Sequence, residues 1–446
     1  MNILVINGSP KGPYSITLQT SLYLQKQYPE HDFQLLSVGQ KIKSLEKDLS
    51  PALEMIRQAD LLVFSYPVYT FIAPCQLHRF IELLKPHAAV LQGKIATQIT
   101  TSKHFYDITA HRYIQDNVQE MGMHFIPGLS ADMDDLPTKK GQQEAKNWFD
   151  HLIWSMAQGY YAPYYPSAEP TAPVPATACE ESAEEKTGDV VIIADILPED
   201  TQLQTMVDRF RARLPRATRV VNLREYPFSG GCLGCFRCAA DGKCVHKDGF
   251  DEFLRNEIQT ADAMIYAFTI RDHSMGARFK MYDDRQFCNG HRTVTIGMPV
   301  GYLISGNLSK EENLRTIIEG RAQVGSNILA GIATDETETD AAIDRLAASL
   351  TYALEHKNTG PQNFLGIGGM KIFRDLIYQM RGFMRADHKF FKSHGQYDFP
   401  QKKWPQSLAM YLVGAMISSP KIRSKMGNKM NEGMLMPYKK VLEEEK

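Results

Sequence analysis

The sequence predicts an α/β fold with two tandem, doubly wound parallel sheets and a helical C-terminal region. Short apolar runs alternate with amphipathic stretches twice along the 446 residues, and this β-α-β order is typical of parallel sheets covered by helices. One stretch occurs in both runs: ADLLVF at residues 59–64 matches ADAMIY at residues 261–266. The chain therefore reads as two copies of one fold.

The first predicted domain spans residues 1–157. Its five strand candidates are Ile3–Asn7, Phe33–Leu36, Leu61–Tyr66, Ala96–Thr100 and a short one near His124–Ile126. The helical stretches between them are Ser15–Gln27, Pro51–Gln58, Cys75–Leu84, Asp107–Met121 and Gln142–Met156. Five strands in this length indicate the flavodoxin-like strand order.

A segment at 158–187 then changes character. It contains Pro163, Pro166, Pro170, Pro173 and Pro175 among alanines, followed by glutamates, which predicts an extended and mobile linker.

The second predicted domain, residues 188–359, repeats the alternation. Its strand candidates are Val190–Ile196, Arg219–Leu223, Ala263–Phe268, Thr293–Gly297 and Ile328–Ala333, with helices over Gln202–Arg213, Gly249–Thr260, Ala277–Phe287, Lys310–Ala322 and Asp340–His356.

The third region, residues 360–446, is basic and rich in methionine: Lys371–Lys446 holds 15 Lys and Arg against 7 Asp and Glu. We expect several helices that cover a domain face or make a subunit contact. The alternative is a membrane-surface helix or a docking face for an acidic protein.

Bulk properties narrow the function classes. A formal net charge of -1 gives no sign of a nucleic-acid partner. The chain begins with a strand-like run instead of a signal-peptide pattern, and its longest apolar stretch, Ser407–Ser419, is too short to span a bilayer of about 30 Å. Four of the seven cysteines sit in one loop, which argues for a reducing compartment. We expect a cytoplasmic protein without a transmembrane segment, and leave a homo-oligomer open.

The loop Gly8–Thr17 follows the first strand and opens the first helix. Ser9, Ser15 and Thr17 offer hydroxyls, Lys11 adds positive charge, and the helix N-terminus offers backbone N–H groups. An ordinary N-capped turn is the plainer interpretation, but a ligand crevice is expected at this position of a doubly wound sheet. The loop therefore predicts phosphate binding.

Two further loops lie at the same predicted edge. Tyr66–Pro74 offers aromatic surfaces, although Tyr66, Tyr69 and Phe71 are equally suited to a core, and Thr100–Asp107 offers hydroxyls and an imidazole. Tyr69 and His104 are the candidate catalytic side chains. For His104 a general acid and a surface residue stay equally open. Together the three loops predict a flavin mononucleotide (FMN) site.

Four cysteines within thirteen residues form a C-x2-C-x2-C-x5-C run: Cys232, Cys235, Cys238 and Cys244. Compact runs of this kind hold iron–sulfur clusters in bacterial ferredoxins, whereas zinc sites more often separate two C-x-x-C pairs. Cys75 and Cys288 are expected to be buried apolar residues, and Cys179 lies in the linker.

These motifs resemble the NADPH-dependent FMN reductase and iron–sulfur flavoprotein family over about residues 1–355. The resemblance implies phosphate contacts from Ser9, Lys11, Ser15, Ile16 and Thr17, and a 4Fe–4S cluster on the four cysteines. It also implies that the flavin ring is bordered by two sets of residues: Pro67, Val68, Tyr69 and Thr70, and Thr101 and Ser102.

The chain departs from the family because each half keeps one feature. In the first half the loop equivalent to the cysteine loop, Ser37–Lys41, holds no cysteine. The first loop of the second half is Leu197–Thr201, whose two carboxylates would repel a phosphate. Its ring loop is also changed, to Phe268–His273. We expect a fused pseudo-dimer in which the first domain holds FMN and the second holds the cluster.

The function expected from the resemblance is a flavin- and cluster-dependent oxidoreductase. Its donor would be NAD(P)H or a ferredoxin, and its acceptor a small molecule or a quinone. Two alternatives stay open: an electron-transfer module that acts only between proteins, and a simple NAD(P)H-dependent FMN reductase whose cysteines are structural or bind zinc.

Overall fold

A computed structural model describes residues 1–165, 172–179, 185–357, 359–421 and 429–444. Pro166 and Pro170 of the predicted linker lie outside the described residues, as do its residues 180–184. The chain divides into two compact units, Met1–Phe390 and Phe391–Lys446.

The first domain contains a six-stranded parallel sheet with the order β2-β1-β3-β4-β5, and β6 pairs with β4. The strands are β1 Asn2–Asn7, β2 Asp32–Leu36, β3 Leu61–Pro67, β4 Ile95–Ser102, β5 His124–Phe125 and β6 Leu129–Asp132. The helices are α1 Ile16–Gln27, α2 Val38–Leu45, α3 Ser50–Gln58, α4 Cys75–Leu84, α5 Ala88–Leu91, α6 Asp107–Glu120 and α7 Lys139–Gln158. This strand order is flavodoxin-like, as predicted.

The second domain repeats that order as β8-β7-β9-β10-β11. Its strands are β7 Val190–Asp195, β8 Thr218–Asn222, β9 Ala263–Thr269, β10 Pro299–Ser305 and β11 Ile328–Thr334. Its helices are α8 Thr201–Arg213, α9 Cys238–Asp241, α10 Phe250–Phe253, α11 Gly276–Arg285, α12 Glu312–Val324 and α13 Thr339–His356, with a π-turn at Leu254–Ile258. The predicted fold class, two tandem parallel sheets, is confirmed.

Burial explains why the central strands read as continuous apolar runs. From Ile3 to Asn7 every residue of β1 is buried, and so is every residue of β7. Helices cover both faces of such a sheet, so neither face is left for polar side chains. Because parallel strands end at one edge, the loops after β1, β3 and β4 meet there.

Two local predictions fail for physical reasons. The strand predicted at Thr293–Gly297 is a turn region with Val294 and Ile296 exposed, and Gly297 has a φ of +75°, so the strand begins only at Pro299. The stretch Ser37–Lys41, expected to be a loop, begins helix α2 because Val38 is drawn fully into the core.

Helices α4 and α11 join the two domains. Each follows the third strand of its own sheet, so equivalent elements meet. His78 in α4 hydrogen-bonds through Nδ1 to Asp272 at 2.6 Å, and both side chains are fully buried. The N–H of Cys75 donates to the Asp284 carboxylate at 2.7 Å. A single cluster of buried apolar side chains runs through both domains, so they share a core.

The described part of the linker is held against the second domain, contrary to the predicted mobility. The N–H of Val174 donates to the carbonyl of Asp335 at 2.7 Å, and Ala176 is buried in the core of that domain. The path is extended, as predicted.

The remaining helices are α14 Phe364–Gln379, α15 Arg385–Ser393, α16 Trp404–Ser418 and α17 Lys429–Glu444. Helix α14 packs on α12. Within the described ranges, every helix falls short of the length and apolarity that a bilayer crossing requires.

Candidate functional site

A cavity of about 420 Å³ lies at the carboxyl edge of the first sheet and is also lined by residues of the second domain. A volume of this size is typical of small-molecule sites. Its lining includes all eleven predicted cofactor-binding residues and all four cysteines of the run: Ser9, Lys11, Ser15, Ile16, Thr17, Pro67, Val68, Tyr69, Thr70, Thr101, Ser102, Cys232, Cys235, Cys238 and Cys244. The structure thus brings loops together that the sequence separates by more than two hundred residues.

The phosphate loop, residues 8–17, is fixed by local hydrogen bonds. Asn7 accepts from the N–H of Ser9 at 3.1 Å and donates to the carbonyl of Gly12 at 3.1 Å. Ser15 caps α1 by accepting from the N–H of Leu18 at 3.4 Å. Since the first-turn N–H groups of a helix lack internal acceptors, the start of α1 provides the cavity with an anion-binding end.

A glycine outside the predicted set supports this loop from behind. A Cβ added at Gly39 in α2 would lie 2.2 Å from the carbonyl oxygen of Ser9. Only a residue without a side chain permits this approach of helix to loop. The sequence gives no signal for this role, because the contact joins two segments thirty residues apart.

The loop after β3, which is predicted to border the flavin ring, carries backbone strain. Thr70 and Phe71 have φ values of +43° and +76°, and such conformations of non-glycine residues cluster at ligand sites. A 2.5 Å hydrogen bond between the hydroxyls of Thr17 and Thr101 ties the phosphate loop to the loop after β4. The Tyr69 hydroxyl is buried, and no described residue pairs with it.

The four cysteines of the cysteine loop, Cys232–Cys244, form no disulfide. The N–H of Gly234 donates to the Cys232 sulfur at 3.4 Å, and the Cys238 thiol donates to the carbonyl of Phe287 at 3.0 Å. Burial raises the pKa of Cys232, and it raises the pKa of Cys238 to about 11.

The loop has the donor chemistry of a cluster site, and its four sulfurs share one cavity. They are not drawn into a closed ligand set, since no three metal-binding side chains converge among the residues that the structure describes.

An ion pair holds the base of this loop. The Arg285 guanidinium donates to both oxygens of Asp248 at 2.8 and 2.6 Å, and to the carbonyl of Gly230 at 2.8 Å. Partial burial opposes the charge on Asp248, but hydrogen bonds from Arg285 and Ser229 keep the pKa of that carboxyl well below its usual range.

The cysteine loop contacts the phosphate loop and the loop after β3. A Cβ added at Gly234, whose φ is +60°, would fall 1.8 Å from the Tyr69 hydroxyl. Lys11 lies 5.0 Å above the ring of Phe236. Burial lowers the pKa of Lys11, while the nearby Cys232 and Cys235 act in the opposite direction.

Residues 1–134 match the family model of NADPH-dependent FMN reductases. The resemblance seen in the motifs is therefore confirmed for the first domain. A curated relative, an iron–sulfur flavoprotein of Archaeoglobus fulgidus, is 26% identical over 175 residues, which are 37% of this chain and 78% of the relative.

Two solved structures match part of this chain over nearly all of their own length. General stress protein 14 of Treponema denticola, solved in complex with FMN, is 12% identical and covers 34% of this chain and 98% of its own, with a TM-score of 0.29. An NAD(P)H:quinone oxidoreductase of Methanothermobacter marburgensis is 15% identical and covers 40% of this chain and 100% of its own, with a TM-score of 0.30. Likenesses this low carry no functional conclusion.

The FMN-reductase-like domain supplies only part of the cavity wall. The far wall comes from the second domain and α14, through Tyr266, Tyr302, Arg321 and Phe373. Arg321 forms an ion pair with the buried Asp283 and lies 5.7 Å from the centre of the Phe71 ring. Phe373 stacks on Phe105 at 4.3 Å. Sequence reasoning misses these residues because no motif marks them and only tertiary packing assembles them.

The two candidate catalytic side chains lie in different surroundings. Tyr69 lines the cavity, whereas His104 is absent from its lining. The His104 side chain is 51% exposed and pairs with Asp107 at 2.8 Å. His104 therefore lies outside the cavity lining, and both alternatives for its role stay predictions.

The equivalent edge of the second domain carries paired charges. Asp200 accepts from the N–H of Leu197 at 2.8 Å and from Arg271 at 2.5 Å. Asp195 forms an ion pair with Arg224. These carboxylates stand where the FMN-reductase-like domain presents its phosphate loop, so this edge disfavours an anion.

Proposed function

We propose that the chain is an FMN-dependent oxidoreductase with a 4Fe–4S cluster on its cysteine loop. FMN would bind to the first domain, and electrons would pass between the two groups within one cavity. NAD(P)H or a ferredoxin would be the donor, and a small-molecule or quinone-type compound the acceptor. The observation that carries the proposal is the shared cavity of the flavin-type loops and the four cysteines.

The phosphate loop fits the phosphate of FMN. Ser9, Ser15 and Thr17 bring hydroxyls to the cavity beside the start of α1, and Lys11 compensates negative charge. The close approach of Gly39 keeps the loop backbone in position. These residues bind and orient the cofactor.

The ring would lie against Pro67–Thr70 and Thr101–Ser102. Phe71, Phe105 and Phe373 line the cavity beside this region and would limit the access of water to the ring. When bound, FMN and the cluster would supply the redox chemistry, the first in one- or two-electron steps and the second in one-electron steps. The contact of Tyr69 with Gly234 would hold the loop that borders the ring against the cysteine loop.

A second candidate function follows from the open arrangement of the thiols. If Cys232–Cys244 is a structural loop, the chain is a simple NAD(P)H-dependent FMN reductase. The hydrogen bond from the Cys238 thiol to Phe287 and the lack of converging ligands among the described residues favour this reading.

The first test compares Cys235→Ala with Cys179→Ala after anaerobic purification. Wild type and Cys179→Ala, whose cysteine lies outside the loop, should carry iron, sulfide and FMN. Cys235→Ala should lose iron and sulfide and the broad cluster absorbance, while FMN stays bound, because a cluster needs all four thiolates. The measurement is metal, sulfide and flavin analysis with an absorption spectrum.

Two results separate the candidates. FMN without iron in the wild type selects the simple reductase. Iron without FMN contradicts the assignment of the phosphate loop. Oxidation of NAD(P)H, compared with reduction by a ferredoxin, then identifies the donor and tests the electron-transfer module.

A further inference from the structure

Helix α16 exposes its apolar side chains along its whole length. Residues Trp404–Ser418 include no charged side chain and none that is buried. Trp404 is 68% exposed, Tyr411 79% and Leu412 61%. A surface helix of a globular protein normally buries an apolar face and shows a charged one, whereas the part of the chain that the structure describes leaves the apolar surface of α16 uncovered.

Cations stand at both ends of this apolar helix. Lys402 and Lys403 precede it, and Lys421, Arg423 and Lys425 follow it in the sequence. Lys403 pairs with Asp398 at 3.0 Å, yet residues 391–446 together contain ten Lys and Arg against five Asp and Glu. The unit Phe391–Lys446 is therefore basic in a chain that is close to neutral as a whole.

We propose that α16 docks the protein on the surface of an anionic lipid bilayer. The helix would lie in the interface, with Leu408, Leu412 and Met416 among the acyl chains and the flanking cations among the headgroups. Trp404 and Tyr411 have the amphipathic rings that favour this depth.

Length and charge distinguish this occupant from the others. Fifteen residues of helix extend about 22 Å, short of the roughly 30 Å of a hydrocarbon core, so α16 can lie on a bilayer and not cross it. A second copy of α16 would bring like charges together at both helix ends. An anionic surface is complementary to those charges.

The same surface would serve the proposed reaction without depending on it. Apolar electron acceptors concentrate in bilayers, and a docked enzyme meets them there. The inference goes beyond the proposed function, since it rests on a different unit of the chain and different residues.

The test is co-sedimentation of the full-length protein with vesicles, carried out with and without phosphatidylglycerol in phosphatidylcholine. Wild type should bind the anionic vesicles on the order of a hundredfold more tightly than neutral ones, and this preference should shrink at high salt. Leu412→Glu should weaken binding about tenfold or more, because a charge replaces an inserted leucine.

Ile108→Glu is the matched control, because Ile108 is also an exposed apolar side chain but lies on α6. It should bind vesicles like the wild type. Lys402→Gln with Lys403→Gln should lower binding to anionic vesicles only. Flavin absorbance of each variant, read in the same samples, should be unchanged, so a failure of docking is distinguishable from a failure of FMN binding.

Three results would overturn the proposal: equal binding of wild type and Leu412→Glu, no preference for anionic vesicles, or no vesicle binding at all. If vesicle binding is absent and sedimentation shows an oligomer that Leu412→Glu dissociates, a second copy covers α16 instead.

Discussion

At the scale of single residues, the candidate site depends on two glycines, because their lack of a side chain permits close contacts. Gly39 lets α2 approach the carbonyl of Ser9, and Gly234 lets the cysteine loop approach the hydroxyl of Tyr69. The first contact is with backbone and the second with a buried side chain, and neither leaves room for a methyl group. The shape of the cavity is thus set partly by two glycines in different domains.

Gly39→Ala should reduce FMN content and destabilise the chain by about 1–3 kcal/mol, because the new methyl group overlaps the phosphate-loop backbone. The measurements are flavin stoichiometry after purification and the midpoint of urea unfolding. Gly360→Ala is the control, since a Cβ there has open space around it. Equal flavin content in the two variants would remove Gly39 from the site.

Sequence patterns predicted eleven first-domain residues of the cavity lining, because short loops after parallel strands leave little freedom in where they point, and they predicted the four cysteines of the second domain. The rest of the second-domain wall was not predictable in this way. Arg321 lies on a helix with an ordinary amphipathic pattern, and only the docking of two domains gives it a cavity to face. The sequence shows that residue 321 is a charged arginine, but it does not show which residues surround the side chain.

At the scale of elements, a charged cluster ties α6 to the second domain. His273 lies 3.3 Å from Glu120 of α6 and 3.0 Å from Glu311, next to the start of α12. Burial acts against the charge on His273, but hydrogen bonds to Glu120 and Glu311 raise its pKa from 6.5 to about 10. Hydrogen bonds from His273 and Lys85 lower the pKa of Glu120 from 4.5 to about 2.

This cluster should make the stability of the chain depend on pH in two windows. The contribution of His273 is complete below about pH 6.5 and is lost as the pH rises through about 10. The contribution of Glu120 is complete above about pH 4.5 and is lost as the pH falls through about 2. In urea unfolding, the difference between wild type and His273→Gln should therefore decrease toward pH 10.

His356→Gln serves as the control, because His356 is exposed and hydrogen-bonds within its own helix. Its stability should follow that of the wild type at every pH. A difference for His273→Gln that stays constant from pH 6 to 10 would mean that packing, and not the charge, explains the loss.

Strands were predicted well where consecutive residues are buried, and poorly where apolar residues are exposed. The strands β1, β7 and β9 are buried along their lengths and were found within about one residue. The error at Thr293–Gly297 arose because β-branched residues in an exposed turn resemble a strand in a one-dimensional pattern. Whether a turn residue is buried depends on residues that are distant in the sequence, and a local pattern does not identify them.

At the scale of the whole molecule, the two flavodoxin-like domains form one body. The apolar core is continuous across them, and Asp272 in the second domain is buried among partners from the first: His78, Tyr113 and Asn117. Equivalent helices α4 and α11 meet, which is the arrangement expected of a fused pseudo-dimer. Separation would expose apolar surface and unpair buried polar groups.

Fragments 1–165 and 172–446, expressed together as separate chains, should therefore co-purify as a one-to-one complex. Asp272→Ala in the second fragment should weaken the complex by about 1–3 kcal/mol for each buried group that it leaves without a hydrogen-bond partner, His78 and Tyr113. Size-exclusion chromatography with mass analysis measures both. Independent elution of the unmodified fragments would contradict a shared core.

The contact between Tyr69 and Gly234 has a kinetic consequence. It lies where the phosphate loop and the cysteine loop face each other, on the boundary of the two domains. If a cofactor bound behind this contact can leave only when the boundary opens locally, its residence time would follow the rate of that opening more than the strength of its own hydrogen bonds. Joining both halves in one chain makes such openings short, because the partner half never diffuses away. The fusion would thus act as a device for retaining cofactors.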